Sequence, residues 1–124
     1  MQVETVSRER VLIVRIQESR FDSSLAMEFQ SLIEKWAEEG HFHIIVDLGE
    51  VDFIDSTILG VIVQWFKRVR GEKGEVAGSA GGNLVICNIG FKIESLLKLT
   101  RMDRVFSIYG NEPEAFQAIS GDRP

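Results

Sequence analysis

Apolar and polar positions alternate or recur along the chain in patterns that separate strands from helices. Two runs rich in β-branched residues, 3–6 and 11–16, flank a polar segment at 7–10, and together they predict a β-hairpin. Apolar residues then recur at spacings of three and four over residues 25–37, shortly before Gly40. The chain is therefore predicted to begin with a hairpin followed by an amphipathic helix.

The remaining pattern alternates strands and helices. Residues 42–48 and 83–88 are nearly continuous apolar runs, typical of strands buried on both faces. Further elements are predicted as a short segment at 51–55, a helix from Asp55 or Ser56 to Arg70, a helix at 92–100, a strand at 105–109 and a helix at 112–119. The order ββαβαβαβα predicts one α/β domain over residues 1–124, with a mixed sheet of about five strands and four main helices. The glycine-rich stretch 71–82 is expected to be a flexible loop.

Composition and charge narrow the function classes. The 124 residues include 14 basic and 19 acidic side chains, a formal net charge of −5, which argues against nucleic-acid binding. The apolar runs are far shorter than the ~18 residues that a membrane-spanning helix needs, and the first ten residues lack the apolar core of a signal peptide. A single cysteine, Cys87, cannot form an internal disulfide. We therefore expect a cytoplasmic protein that does not insert into membranes.

Several residues could carry chemistry, but each has a simpler interpretation. His41 and His43 would lie on one face of a strand, yet no third metal ligand is placed beside them. The loop at 71–82 lacks the phosphate-binding motif and precedes a strand, whereas phosphate loops precede a helix. Cys87 falls in a buried strand, and Ser56 lacks a recognisable base. The sequence thus predicts no enzyme, no cofactor and no metal.

The most informative segment runs from the end of the buried strand at 42–48 into the second helix. It reads DLGEVDFIDSTILGVIV from Asp47, so an acidic loop precedes a Ser56–Thr57 pair. Either Asp55 or Ser56 can cap the helix, a contribution of about 1 kcal/mol. A hydroxyl at this position would be exposed, fixed in place and close to free backbone donors.

This segment resembles the signature D-L-x-x-V-x-F-[IM]-D-S-[ST]-G-L-G of the STAS domain, the fold of anti-sigma factor antagonists and of sulfate-transporter tails. The resemblance extends over nearly the whole chain. Arg20-Phe21-Asp22 is similar to the family's turn before the first helix, and residues 96–100 with 105–106 are similar to its C-terminal third.

The resemblance implies a phosphorylation switch. Ser56 would be phosphorylated by a partner kinase that is itself the anti-sigma factor, with Thr57 as the second choice. A PP2C-type phosphatase would reset the switch, and the unphosphorylated protein would bind the anti-sigma factor and free the sigma factor. Phosphate adds a charge of about −1.5 to −2 beside Asp55. The same partner-binding surface is expected to include Asp22, Ser23, Asp52, Asp55 and Thr57. We therefore expect a large change in docking and little change in fold.

The second helix carries two apolar stripes. One stripe suits packing on the sheet and comprises Leu59, Ile62, Val63, Phe66 and Val69. The other comprises Ile58, Val61 and Trp65, and it either packs on a neighbouring helix or forms an exposed ridge beside Ser56 that anchors the partner.

Departures from the family pattern leave alternatives open. Ile58 stands where the family has glycine, which would narrow the choice of kinase or remove phosphorylation altogether. Arg101-Met102 replaces the usual Gly-Leu, which we interpret as a local capping change. The alternative function is a STAS scaffold, or an accessory subunit of a signalling or membrane-transport complex, that is not phosphorylated. A small-ligand or nucleotide sensor belongs to a different class, and the sequence leaves homodimer formation open.

Overall fold

The computed structural model describes residues 1–71 and 81–121, so most of the predicted loop at 71–82 lies outside the described residues. The strands are β1 (Val3–Arg8), β2 (Val11–Ile16), β3 (Arg20–Phe21), β4 (His43–Asp47), β5 (Phe53–Ile54), β6 (Asn83–Cys87) and β7 (Ile108–Tyr109). The helices are α1 (Ala26–Glu38), α2 (Ser56–Arg70), α3 (Phe91–Leu99) and α4 (Glu112–Gly121).

Five strands form one mixed sheet in the order β1-β2-β4-β6-β7. The β1–β2 pair is antiparallel, and every other neighbouring pair in this sheet is parallel. Glu9 and Arg10 close the hairpin with φ angles of 48° and 77°, the left-handed backbone that a two-residue hairpin turn requires. The predicted α/β fold with a five-stranded mixed sheet and four helices is confirmed.

Helices cover the two faces of the sheet unequally. Because successive side chains of a strand point to opposite faces, alternate residues of β2, β4 and β6 enter two separate apolar clusters. The larger cluster packs the sheet against α1, α2 and α3, and its strand residues are Leu12, Val14, Ile16, Ile44, Val46, Leu84 and Ile86. The smaller cluster packs the opposite face against α4.

A second, two-stranded sheet joins the loops that lead into α1 and α2. Its strands β3 and β5 are parallel, with Arg20 opposite Phe53 and Phe21 opposite Ile54. The backbone N–H groups of Asp52 and Phe53 both donate to the Ser19 carbonyl, at 2.8 and 3.0 Å. These contacts hold the starts of the two helices side by side.

The last strand is much shorter than the sequence predicts, so the prediction of a strand over 105–109 is wrong for its first three residues. A short 3-10 turn, Met102–Arg104, follows α3. The N–H groups of Val105 and Phe106 both donate to the Met102 carbonyl at 3.0 Å. Phe106 is buried edge-on against Phe66, with ring centroids 5.3 Å apart. Phe106 therefore enters the core from a turn, while Val105 beside it stays exposed.

Candidate functional site

Asp55 organises the start of α2. Its Oδ1 accepts a hydrogen bond from the Ile58 N–H at 3.0 Å, which makes Asp55 the N-cap of the helix. Its Oδ2 accepts a hydrogen bond from the Ser23 N–H at 2.8 Å, across 32 residues of sequence. One carboxylate thus caps α2 and fastens it to the loop that precedes α1.

Ser56 and Thr57 are the first two residues of α2, and both are exposed. The first N–H groups of a helix have no partner within the helix, and the N-terminus carries a partial positive charge. The backbone that carries the exposed Ser56 hydroxyl is held in place, because Asp55 fixes the chain immediately before it.

Asp22 caps the short 3-10 turn Ser23–Leu25, which leads into α1. It is half-buried, and its Oδ1 accepts hydrogen bonds from the Ser24 N–H at 3.0 Å and the Ser24 hydroxyl at 2.6 Å. Its Oδ2 accepts from Arg20 Nε at 2.9 Å. The Ser24 hydroxyl, followed by the Ser24 N–H and Arg20, lowers the pKa of Asp22 below its usual range. The structure therefore brings Asp22, Ser23 and Asp55 together, as expected.

Asp52 lies on the same surface. It is exposed and stands three residues before Asp55, at the turn into β5. Its N–H anchors the loop on Ser19, while its side chain stays in solvent. The acidic surface expected around Ser56 thus draws on both helix-leading loops.

Arg20 and Phe53 belong to this surface, although neither was predicted as a site residue. The Arg20 guanidinium carbon lies 4.2 Å from the centroid of the Phe53 ring, and Phe53 is 39% exposed. The pairing of β3 with β5 brings the two residues face to face. The available signal was the alternation in β5, where Phe53 is the outward neighbour of the buried Ile54.

The prediction that Ile58, Val61 and Trp65 form an exposed ridge is wrong. The alternative, that this stripe packs on a neighbouring helix, is confirmed. All three side chains are buried in the larger cluster. The Trp65 ring stacks on Trp36 of α1 at 5.5 Å between centroids and meets Phe29 edge-on at 5.7 Å. These residues therefore cannot act as an exposed anchor for a partner.

Ile58, which stands where the family has glycine, is buried. Its side chain has no exposed surface, whereas Ser56 and Thr57 are exposed. The branched side chain therefore points into the core and leaves the approach to Ser56 open.

A second polar cluster lies at the end of the sheet where α4 begins. Arg15 donates from Nε and from its second terminal nitrogen to the two Glu112 oxygens, at 2.7 and 2.8 Å. These bonds lower the pKa of Glu112 to about 2. Burial, followed by a hydrogen bond with Glu112, raises the pKa of Asp47, which also accepts from Asn88 Nδ2 at 3.0 Å. Burial likewise raises the pKa of Cys87 to about 12, so its thiol stays protonated.

The two histidines do not share a strand face as expected, because β4 begins at His43 and His41 precedes it. His41 Nε2 instead lies 3.8 Å from a Glu39 carboxylate oxygen.

Within residues 1–71 and 81–121, no group of three or more His, Cys, Asp or Glu side chains could hold a metal ion. No helix in that same part of the chain is long and apolar enough to cross a membrane.

Comparison with known proteins agrees with the fold and with the motif around Ser56. The protein-family model for the STAS domain matches residues 2–115 of this chain. A candidate anti-sigma factor antagonist of Thermotoga neapolitana is 30% identical over 105 residues, covering 81% of this chain and 86% of that protein. The anti-sigma F factor antagonist of Paenibacillus polymyxa is 27% identical over 122 residues, covering 96% and 95%.

A solved structure shares the architecture. The crystal structure of a candidate anti-sigma factor antagonist from Thermotoga maritima gives a TM-score of 0.82 at 26% identity, covering 95% of this chain and 94% of that one. The chain therefore belongs to the STAS domain family and, within it, to the anti-sigma factor antagonists.

Proposed function

We propose that the protein is a cytoplasmic anti-sigma factor antagonist that is switched off by phosphorylation of Ser56. The observation that carries this proposal is the contrast between an exposed hydroxyl and the fixed backbone beneath it. A kinase needs an accessible acceptor, whereas a protein partner needs a surface that keeps its shape. In this proposal the anti-sigma factor is the kinase, a PP2C-type phosphatase reverses the reaction, and the chain has no catalysis of its own.

The charges around Ser56 support an effect on docking. The N-terminus of α2 favours an anion by about 0.3–1 kcal/mol, but Asp52 and Asp55 already place negative charge beside it. Both oxygens of Asp55 accept backbone hydrogen bonds, and Arg20 is held by Asp22 and the Phe53 ring. A phosphate would therefore add charge to the surface without requiring the loops to rearrange.

Exposed apolar side chains at the same end of the molecule supply contact area for a partner. Phe53 lies beside the site, and Met27 in the first turn of α1 is 82% exposed. Phe91, the first residue of α3, is 80% exposed, and α3 contacts β5. We infer that these three side chains, rather than Ile58, Val61 and Trp65, form the apolar part of the partner-binding surface.

The sharpest test compares Ser56→Asp with wild type in binding to the anti-sigma factor. We expect affinity to fall by about tenfold or more, because a carboxylate at position 56 lies in the contact surface and must lose its hydration on docking, beside the existing charges of Asp52 and Asp55. The far-ultraviolet circular dichroism should not change. Gln117→Glu, which likewise adds one negative charge but at an exposed position on α4, on the opposite face of the sheet, is the matched control.

Equal affinity of wild type and Ser56→Asp would contradict the proposal. Mass spectrometry after incubation with the partner kinase and ATP locates the acceptor independently, at Ser56 or at Thr57. An unmodified chain in that experiment would favour the alternative of an unphosphorylated STAS scaffold or accessory subunit. The buried position of Ile58 removes one argument for that alternative.

A further inference from the structure

The outer edge of β1 is a long and regular strand edge. β1 pairs with β2 over six residues without a bulge, and no described segment pairs with its other side. Side chains from Glu4 to Arg8 are all exposed. The opposite edge of the sheet, β7, has only two residues. Exposed strand edges are templates for pairing with another chain.

The hydrogen-bonding pattern shows which backbone groups of β1 are available. In an antiparallel pair, residues alternate between those that bond to the neighbouring strand and those that point away from it. The Gln17 N–H donates to the Gln2 carbonyl at 2.9 Å, so the even-numbered residues of β1 face β2. The N–H and C=O groups of Val3, Thr5 and Ser7 therefore point outward, and the strand contains no proline that would block them.

We propose that β1 pairs antiparallel with β1 of a second copy of this chain, about a two-fold axis at Val6. In this register Thr5 lies opposite Ser7 of the second copy, so their outward backbone groups can exchange hydrogen bonds. Val6, which is 36% exposed, lies opposite its own copy. Glu4 lies opposite Arg8 of the second copy, and the symmetry repeats that pair.

Charge complementarity selects this register. Within one copy, the Glu4 carboxylate already accepts a hydrogen bond from Arg15 at 3.2 Å, and Arg15 also donates two hydrogen bonds to Glu112. Arg8 forms no ion pair with the described residues, and its guanidinium lies 4.1 Å from the Phe116 ring centroid. Pairing about Val6 would extend a row of alternating sign, from Glu112 through Arg15 and Glu4 to Arg8 of the second copy.

Neighbouring registers lose this match. An axis at Thr5 would place Glu4 opposite Val6, and an axis at Ser7 would place Arg8 opposite Val6. An axis at Glu4 would place two carboxylates opposite each other, which is destabilising in an antiparallel pair. The sequence VETVSR is therefore complementary to itself in one register.

Sedimentation equilibrium over a range of protein concentrations tests the proposal. We expect wild type to dimerise reversibly and Arg8→Glu to raise the dimer dissociation constant by about tenfold or more, because two cross-strand ion pairs become two repulsions. Arg10→Glu is the matched control, since it makes the same charge change in the hairpin turn and should dimerise like wild type. Thr5→Pro removes an outward donor, leaves the bonds to β2 intact and should also give monomers.

A mixing experiment separates pairing in this register from a general effect of charge. Glu4→Lys and Arg8→Glu should each dimerise about tenfold or more weakly than wild type when alone, because each places like charges opposite each other in its homodimer. Mixed together they should form a heterodimer, because both cross-strand pairs between positions 4 and 8 then join opposite charges again. Thermal unfolding of each variant confirms that the chain is folded.

Three outcomes overturn the proposal: a wild type that stays monomeric at every concentration, a dimer that Arg8→Glu and Thr5→Pro leave unchanged, or variants that do not combine on mixing. A monomer that instead binds an extended peptide along β1 would show that another protein occupies the edge. The proposal does not depend on phosphorylation of Ser56, so the two can fail separately.

Discussion

Ile58 shows how a single position can depart from a family pattern without disturbing the site beside it. Its side chain lies in the core, while its N–H completes the cap on Asp55. We expect Ile58→Gly to lower the free energy of unfolding by about 3–5 kcal/mol, the sum of a lost core side chain and a glycine within a helix. Urea unfolding measures this loss, with Ile58→Val as a control that should cost about 0.5–1.5 kcal/mol. A loss below that of the control would show that the side chain is not packed.

Glu112 makes the stability of the fold depend on acid. Because Arg15 lowers its pKa from 4.5 to about 2, its ionised form stabilises the native state. This contribution is complete above pH 4.5, the value taken for the unfolded chain, and is lost as pH falls through about 2. Glu112→Gln should therefore be less stable than wild type near neutral pH, and the difference should shrink as the pH falls through this range.

Unfolding free energies measured at a series of pH values test this prediction. Asp47 titrates in the opposite sense, because burial and Glu112 raise its pKa and its ionisation then costs stability as pH rises. Repeating the comparison in an Asp47→Asn background isolates the titration of Glu112. Glu38→Gln, at an exposed position near the end of α1, is the control. A pH-independent difference would contradict the prediction.

Among the elements, the α1–α2 pair depends most on one aromatic side chain. Trp65 packs between Trp36 and Phe29 and is 2% exposed. We expect Trp65→Ala to cost about 3–5 kcal/mol of unfolding free energy. The variant should keep wild-type affinity for the anti-sigma factor at temperatures where it remains folded.

Phe53→Ala should have the opposite effect to Trp65→Ala, because the Phe53 ring is partly exposed beside Ser56. It should weaken partner binding with little loss of stability. Calorimetric binding and thermal unfolding of both variants separate the two roles. Strong loss of binding by a folded Trp65→Ala would show that α2 contacts the partner through this stripe after all.

The sequence predicts elements well where local signals mark both ends. α2 is the best example, because Asp55 caps its start and Gly71, with φ of 73°, ends it. Local signals could not show whether both apolar stripes of α2 are buried. Both are apolar, and the helix packs on the sheet and on α1 at the same time. Only the position of α1 decides that Trp65 is internal.

Across the whole molecule, contacts between distant segments were the least predictable feature. The Ser23–Asp55 hydrogen bond and the Arg20–Phe53 contact each join residues more than thirty positions apart. They depend on a sheet of two residues per strand, which is too short to leave a periodic pattern. The motif marked Ser56, and the family resemblance implied Asp22 and Ser23, whereas the contacts that join the two loops required the fold.

The unequal covering of the sheet has a consequence for how the chain is made. Among the described helices only α4 covers the face formed by Val11, Ile13, Ile45, Val85 and Cys87, and α4 follows every strand of the sheet in the chain. A ribosome therefore completes the whole sheet before it supplies the helix that shields this face from water. Until α4 has been made and has docked, the chain exposes an apolar face, the kind of surface that chaperones bind and that drives aggregation. A stop codon shortly before Glu112 would make that transient surface permanent.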